Sequence, residues 1–586
     1  MPGGRLRSAG PSGRIGSHGP RRPPTPSRLL AGLRRWRARR RISPGWTIAT
    51  ALILLVILFP LASILVIALG PAGGVWRHLA TTILPATVGR TLILLGGVGV
   101  VTLVIGTATA WLVALYRFPG RDLVGWLLLV PLAMPTYIIA YCYMDLLDAA
   151  GPIQTFVRWL LGFETRRQYW VPELRSIGGA VFVLSAVLYP YVYMSARASF
   201  MQQSVGTLEV ARTLGRSALA TFFEIALPLA RPALAAGLAL VLMECLNDIG
   251  ATEYLGVRTL TVTAYQTWLQ RSSLAGAAQI ASVMLLFVLV LFWLEHQTRR
   301  GGTHENARRI RTVPERDLTG WRGHGALAVC LMPFLIGFVL PMTVLASTAL
   351  RHLGDALGGA FLEAAVSSLV LALAAAFVTA LVALVVAYAR RVAPNGLTRP
   401  AVALAGVGYA LPGTVLAIGL LVPLAAFDNR LDLLMSSRLG ISTGLLLSGS
   451  VFAVILAYAI RFAAVAVGAI DSGLRRISPS LDAAARTLGE SAVTTFRRLH
   501  FPLLKPTIGV ALVLVFVDTM KELPATLLLR PFGLQTLATR VYELAALERF
   551  EEAALSALLI VLVGLVPVIL VDRAVIRRRQ TPVAPQ

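Results

Sequence analysis

Charged residues are scarce in this 586-residue chain, since Asp, Glu, Lys and Arg make up 14% of it while hydrophobic residues make up 56%. Soluble domains carry about 25% charged residues, so the composition excludes a soluble globular protein. Acidic residues number only 28 against 54 basic ones, which gives a formal net charge of +26. Lysine is almost absent, because Lys505 and Lys521 are the only two in the chain. Arginine therefore carries nearly all of the positive charge.

Cysteine is equally rare, and no pattern of catalytic residues stands out. Cys142, Cys245 and Cys330 lie in or beside apolar runs without metal-ligand spacing, so we predict neither a disulfide nor a metal site. The seven histidines are scattered, and no Ser/His/Asp, His-Glu-x-x-His or paired-carboxylate arrangement indicates an enzyme embedded in the membrane. The chain also lacks the G-x-x-x-x-G-K-[ST] loop with which ATPases bind phosphate.

Long apolar runs are what the chain has in abundance. Spanning a hydrocarbon core takes about 20 residues, and twelve runs are long enough. The predicted fold is all-α, a polytopic membrane protein of about twelve transmembrane helices in two parallel six-helix repeats. Loops rich in arginine alternate along the chain with loops that contain little arginine. Because cytoplasmic loops carry the excess of arginine and lysine, this alternation predicts that both termini are cytoplasmic. The runs begin near Trp46, Thr91, Asp122, Gly179, Ala233, Gln279, His324, Ala364, Pro400, Gly444, Thr507 and Glu552.

Composition divides the chain into five segments. Residues 1–45 carry twelve arginines and no acid, and we predict a disordered cytoplasmic tail that contacts lipid headgroups rather than nucleic acid. Residues 46–298 and 323–575 form two halves of six spans each. A polar cytoplasmic linker, residues 299–322, joins them, and residues 576–586 form a second cytoplasmic tail.

The two halves repeat one short phrase. Ala-Arg-Thr-Leu-Gly occupies residues 211–215 and again residues 485–489, which lie 274 positions later. The surrounding segments, residues 207–232 and 481–506, share twelve identities in 26 positions. Both copies fall between the fourth and fifth spans of their half, on the cytoplasmic side. Each is predicted to form a short helix that ends at a glycine, which permits a tight backbone turn.

This phrase resembles the cytoplasmic EAA loop of bacterial ABC-importer permeases, a coupling helix that docks on the ATP-binding subunit. The resemblance implies a type I ABC-importer permease fold and two copies of a separate ATPase subunit, which would hold the ATP and Mg while this chain binds no cofactor. Leu208, Val210 and Ala483 depart from the family pattern. The residues that would dock are Glu209, Ala211 and Gly215 in the first copy and Asp482, Ala485 and Gly489 in the second.

Acidic residues within the spans repeat as well. The offset of 274 places Asp518 opposite Glu244 and Glu522 opposite Asp248. Ionisable groups at this depth cost several kcal/mol, so each is a candidate for a translocation pathway. An ion pair of Lys521 with Asp518 or Glu522 that only fixes helix packing remains an open alternative. The candidate pathway residues are Glu244, Asp248, Glu253, Asp518, Lys521 and Glu522.

An acid-lined route favours a cationic cargo over phosphate or sulfate, because hard cations prefer oxygen ligands. Residues 244–257 and 518–546 also resemble the matching segments of ferric-iron permeases, in which both halves are often fused. The resemblance implies an inner-membrane subunit of an ATP-driven importer, to which a periplasmic binding protein delivers ferric iron. Importers of thiamine, polyamines or phosphonates share this frame, and a self-powered transporter of the major facilitator type also has parallel six-helix repeats. These alternatives remain open.

Overall fold

The computed structural model describes residues 44–70, 75–203, 215–300 and 316–580. The docking residues Glu209 and Ala211, nearly all of the tail 1–45, most of the linker 299–322 and residues 581–586 lie outside this range. Within it the chain is almost entirely helical, which confirms the predicted all-α class.

The described residues of the first half form twelve α-helices, and short π or 3-10 turns adjoin several of them. Serine and threonine caps begin some helices, as at Ser176, whose hydroxyl accepts a hydrogen bond from the amide of Gly179 (3.1 Å). The helices are α1 (Pro44–Ala68), α2 (Val75–His78), α3 (Leu84–Leu115), α4 (Arg121–Leu127), α5 (Thr136–Leu147), α6 (Pro152–Leu161), α7 (Ile177–Gln202), α8 (Ala218–Thr221), α9 (Leu227–Asn247), α10 (Gly250–Tyr254), α11 (Leu260–Leu269) and α12 (Leu274–Arg300).

The second half follows the same order. Two short strands, β1 (Tyr116–Arg117) and β2 (Arg316–Asp317), pair in parallel and join the end of the linker to the inner end of α3. The helices are α13 (Trp321–Phe334), α14 (Leu340–Arg351), α15 (Leu353–Ala356), α16 (Gly359–Val392), α17 (Thr398–Ala405), α18 (Val407–Ala410), α19 (Gly413–Leu439), α20 (Val451–Arg476), α21 (Pro479–Thr487), α22 (Ala492–Thr495), α23 (Phe501–Met520), α24 (Pro524–Leu529), α25 (Leu537–Ala546) and α26 (Phe550–Gln580).

The number of spans agrees with the prediction. The described residues include eleven helices long and apolar enough to cross a membrane, and a twelfth span results if the bent pair Arg121–Ala133 and Thr136–Leu161 counts as one. The bend of 93° falls at Met134, which is extended because Pro135 follows it. Leu411 before Pro412 interrupts the matching span of the second half in the same way.

Several span starts differ from the prediction by one to four turns. The helices that contain Thr91, Ala233 and Thr507 begin earlier, because apolar residues precede these positions. The span predicted from Pro400 begins instead at Gly413, after the break at Pro412. The span predicted from Gly444 begins at Val451, where the hydroxyl of Ser450 caps it.

The first span of each half packs against the other half. Helix α1 lies on α16 and α19, and a Cβ on Gly419 would lie 2.5 Å from the carbonyl oxygen of Pro60. The turn between α13 and α14 lies on α7, where a Cβ on Gly337 would lie 2.2 Å from the carbonyl oxygen of Ala186. The first span of each half therefore lies on the surface of the other half, and the two halves form one structure.

Helices α3 and α7 approach closely at Gly106. A Cβ at this position would lie 2.7 Å from the Cβ of Val192 and 2.9 Å from the amide nitrogen of Tyr193. Small residues that let helix backbones approach are typical of packing in membranes, where lipid is as apolar as leucine.

We expect Gly106→Ala to destabilise the protein in detergent by about 1–3 kcal/mol, because the added methyl group forces the two helices apart. Gly96→Ala is the matched control, since Gly96 lies in the same helix with no neighbour within 4 Å. It should be neutral or slightly stabilising, because alanine favours helix more than glycine. Equal melting temperatures for the two variants would contradict this account of the packing.

Candidate functional site

A polar cavity of about 120 Å³ lies between the two halves, where the fifth span of each half ends. Helices α5, α7 and α9 line it from the first half, and α18, α20 and α23 line it from the second. Five of the six predicted pathway residues meet here, together with an arginine that was not predicted. The charged lining residues are Glu244, Asp248, Arg461, Asp518, Lys521 and Glu522.

The carboxylates of two of these acids accept hydrogen bonds from backbone amides that are freed where a helix is interrupted. Helix α9 ends at Asn247, and the Asp248 carboxylate accepts a hydrogen bond from the amide of Thr252 in α10 (2.8 Å). In the second half, the Glu522 carboxylate accepts hydrogen bonds from the amides of Ala525 (3.0 Å) and Thr526 (3.1 Å) at the start of α24. At membrane depth, backbone groups freed by a break need such partners. Both acids therefore have a structural role.

Further contacts hold the same two acids in place. The hydroxyl of Thr136 donates to Asp248, and the hydroxyl of Thr526 donates to Glu522 (2.6 Å). Arg461, which is 7% exposed, places Nη1 3.8 Å from Oε1 of Glu522 and 3.2 Å from Oδ1 of Asn247. Its guanidinium therefore bridges a carboxylate of the second half and an amide of the first.

The other two acids have fewer partners. The Tyr409 hydroxyl of the second half donates to Oε1 of Glu244 in the first half (2.7 Å). The Lys521 ammonium lies 3.0 Å from Oδ1 of Asp518. Of the two pairings considered for Lys521, the structure therefore contains the one with Asp518. Glu244 and Asp518 accept no backbone amide among the described hydrogen bonds, so their carboxylates are the more available pair.

The cavity carries more negative than positive groups, with four carboxylates against one guanidinium and one ammonium. Among the described residues, no group of three or more His, Cys, Asp or Glu side chains is arranged to hold a metal ion. The arrangement therefore provides an acidic, oxygen-rich cavity between the two halves.

Glu253, the sixth predicted pathway residue, lies away from this cavity. Its Oε1 accepts a hydrogen bond from Nε2 of Gln266 (3.3 Å), and its Oε2 accepts one from the hydroxyl of Tyr542 (2.5 Å). Helix α10 turns the chain between Asp248 and Glu253, so closeness in sequence does not bring the two acids to one site.

The repeated cytoplasmic phrase has the predicted helix and turn where it is described. Helix α21 ends before Gly489, whose φ is +79°, and Gly215 has a φ of +77°. This left-handed conformation favours glycine. No residue of α21 is buried, and Leu488 is 82% exposed. The segment thus presents an exposed surface with small side chains, including Ala485.

Asp482 anchors α21 to the membrane helices. Its carboxylate lies 2.9 Å from the Arg391 guanidinium at the inner end of α16 and 2.8 Å from Nε2 of His500, just before α23. Arg391 also donates to the carbonyl oxygens of Leu474 and of Ile477 (3.0 Å). In this structure Asp482 therefore holds the loop in place rather than projecting from it.

Sequence reasoning missed Arg461, Tyr191 and Tyr409 as lining residues. A signal existed for Arg461, because it interrupts the apolar run of α20. No such signal pointed to Tyr191 or Tyr409, since aromatic residues are common in membrane spans. Asn247 stands at the position that matches Lys521 in the repeat.

The chain matches known transport proteins over most of its length. Residues 102–300 and 397–581 match the family model described as "Binding-protein-dependent transport system inner membrane component". The Fe(3+)-transport system permease protein FbpB 2 of Haemophilus influenzae is 24% identical over 83% of this chain and 89% of that protein. The sulfate transport system permease protein CysT of Escherichia coli is 27% identical over 43% of this chain and 92% of its own length.

A third relative is the putative 2-aminoethylphosphonate transport system permease protein PhnU of Salmonella choleraesuis, 29% identical over 33% of this chain and 67% of that protein. The family model covers more than half of this chain, once in each six-span half. The chain therefore belongs to the family of binding-protein-dependent transport system inner membrane components, the permease subunits of ABC importers.

Proposed function

We propose that this permease carries ferric iron, delivered by a periplasmic binding protein, across the bacterial inner membrane. The observation that carries the proposal is the excess of carboxylates in the cavity between the halves. Likeness to a ferric-iron permease over both halves supports it, whereas the sulfate and phosphonate relatives match less than half of the chain. Family membership sets aside the self-powered major facilitator alternative.

Two copies of a separate ATPase subunit would drive transport. They hold the ATP and Mg, while this chain binds no cofactor and keeps both termini in the cytoplasm. Each ATPase subunit binds one of the two coupling loops. Glu209, Ala211 and Gly215 belong to the first loop, and Ala485 and Gly489 belong to the surface of the second.

A single helical segment links the second loop to the cavity. Asp482 contacts His500 just before α23, and α23 reaches Asp518 at its outer end. The helical stretch Ala492–Met520 has 29 residues, a length of roughly 43 Å. Movement of the loop would tilt this stretch as a lever and shift Asp518 and Glu522 relative to Glu244 and Asp248. The cavity would then open to alternate sides of the membrane.

A small anion is the second candidate cargo. Arg461 and Lys521 line the same cavity, and relatives named for sulfate and 2-aminoethylphosphonate transport match one half of the chain. Each of the two cations already has a carboxylate partner, which leaves little positive charge for an anion. The acid excess therefore favours the cation.

Cargo identity can be tested in a bacterial strain that lacks its own ferric and sulfate importers. We expect cells producing this chain, with the ATPase and binding protein encoded beside it, to accumulate radioactive ferric iron and not radioactive sulfate. Uptake should stop when the ATPase is inactivated. Sulfate or phosphonate uptake without iron uptake would overturn the proposed cargo while leaving the importer assignment intact.

For docking, we expect Gly489→Leu to lower the amount of ATPase that copurifies with the permease by about tenfold, or ~1.4 kcal/mol. A bulky side chain at positive φ strains the turn. It also projects from the surface of small side chains on which the ATPase would dock. Gly440→Leu is the matched control, because Gly440 also has a positive φ (67°) and open space but ends α19. Equal copurification of the two variants would rule out Gly489 as part of the docking surface.

For the cavity, we expect the double variant Glu244→Gln, Asp248→Asn to lower uptake at least about tenfold, because two of the four carboxylates lose their charge. ATPase copurification should not change, since the cavity lies far from the coupling loops. Glu363→Gln serves as the control, as this exposed acid on α16 does not line the cavity. Wild-type uptake by the double variant would make these acids packing residues.

A further inference from the structure

We propose that the cavity contains a four-oxygen transit site for a hard trivalent cation, formed by the carboxylates of Glu244 and Asp518 and the hydroxyls of Tyr191 and Tyr409. The inference rests on the proposed ferric cargo and adds the groups that would hold the ion. Each half contributes one carboxylate and one phenol: Glu244 with Tyr191, and Asp518 with Tyr409. A bound ion would therefore bridge the two halves.

The four side chains adjoin in the structure. The Tyr409 hydroxyl lies 2.7 Å from Oε1 of Glu244. Tyr191 lies within electrostatic range of Glu244 and Asp518 and beside the Tyr409 hydroxyl. No described backbone amide occupies the two carboxylates, in contrast to Asp248 and Glu522, whose oxygens cap helices. This end of the cavity therefore keeps its oxygen atoms available for a ligand.

Carboxylate and phenol oxygens suit the proposed ion. Hard cations take oxygen ligands, and tyrosine is an established ligand of iron in proteins. Coordination requires the deprotonated form of the phenol, so binding through Tyr191 or Tyr409 would pass the phenol proton to water that leaves the hydration shell of the ion. Two carboxylates and one phenolate would together carry three negative charges, which balance a charge of three. A divalent cation would be overcompensated by the same set.

A buried hydroxyl in the cavity is available for a hydrogen bond with an occupant. Tyr137 lines the same cavity and is 4% exposed, and its hydroxyl has no hydrogen-bond partner in the described part of the chain. Buried polar groups almost always have a partner. An occupant that brings an oxygen, such as water bound to a cation, would supply one. Tyr137 lies within electrostatic range of Glu522, so its hydroxyl borders the four-oxygen site and is not one of its ligands.

Lys521 acts as the resident cation of the empty site. Its ammonium lies 3.0 Å from Asp518 and within electrostatic range of Glu244. A lysine ammonium is a compact charge on a flexible stem, whereas a guanidinium forms fixed, bidentate pairs. A trivalent ion interacts more strongly with the carboxylates than a single charge does, so it displaces the ammonium on arrival. The ammonium pairs again with Asp518 when the ion leaves.

The test measures radioactive ferric iron uptake by cells that produce the complete transporter with Tyr191→Phe or Tyr409→Phe. Each change removes one hydroxyl and keeps the ring. We expect uptake to fall at least about tenfold, the scale on which metal sites lose affinity when a contributing group is removed. Tyr189→Phe is the matched control, because Tyr189 is buried in α7 two residues from Tyr191 but does not line the cavity. Its uptake should equal that of the wild type.

The outcomes separate the two proposals. If the wild type transports iron and both cavity variants do so equally well, the four-oxygen site is wrong and the ferric cargo stands. If the wild type transports no iron, the proposed cargo fails and the site fails with it. Membrane abundance and ATPase copurification are measured for every variant. If a variant does not assemble, the purified wild-type complex provides the test. Ferric ion added to this complex must produce a visible phenolate-to-iron charge-transfer band. The absence of this band rules out the tyrosines as ligands.

Discussion

The lack of hydrogen-bonding solvent within a bilayer is the constraint on which the rest of this structure depends. Any interruption of a helix there frees backbone groups that the protein itself must satisfy. Both fifth spans are interrupted, after Asn247 and after Met520, and Asp248 and Glu522 accept the freed amides of the following helices. The helix breaks thus require buried acidic side chains as hydrogen-bond acceptors. The breaks in turn create the polar cavity within a mostly apolar core.

Exchange of the first spans determines how the halves can move. Helix α1 lies on the second half, and α13 and α14 lie on the first. Neither half can separate from the other without exposing the glycine contacts at Gly337 and Gly419. The interface that these first spans help to form also contains the cavity. Helix α21 contacts the residue just before α23 through Asp482 and His500, and α23 extends to Asp518 at the cavity.

Much of the fold could be predicted from the sequence, because span length, the repeat and turn glycines such as Gly215 and Gly489 are properties of local sequence. The break before Pro412 escaped prediction, since an apolar run conceals where a helix stops. The cavity was predictable only where the repeat preserves its acids. Arg461 stands where the first half has Val187, so internal comparison could not find it. Glu253 was grouped with the cavity because of its position in sequence, yet helix α10 carries it to Tyr542.

Arg461 also shows what joining both halves in one polypeptide permits. In a permease built from two identical subunits, every group that lines the central passage would occur twice, and two facing guanidiniums would repel each other. Here a single guanidinium contacts Glu522 on its own side and Asn247 on the other. Because the two halves are different sequences within one polypeptide, the cavity has no twofold symmetry, and the walls that the two halves contribute differ chemically.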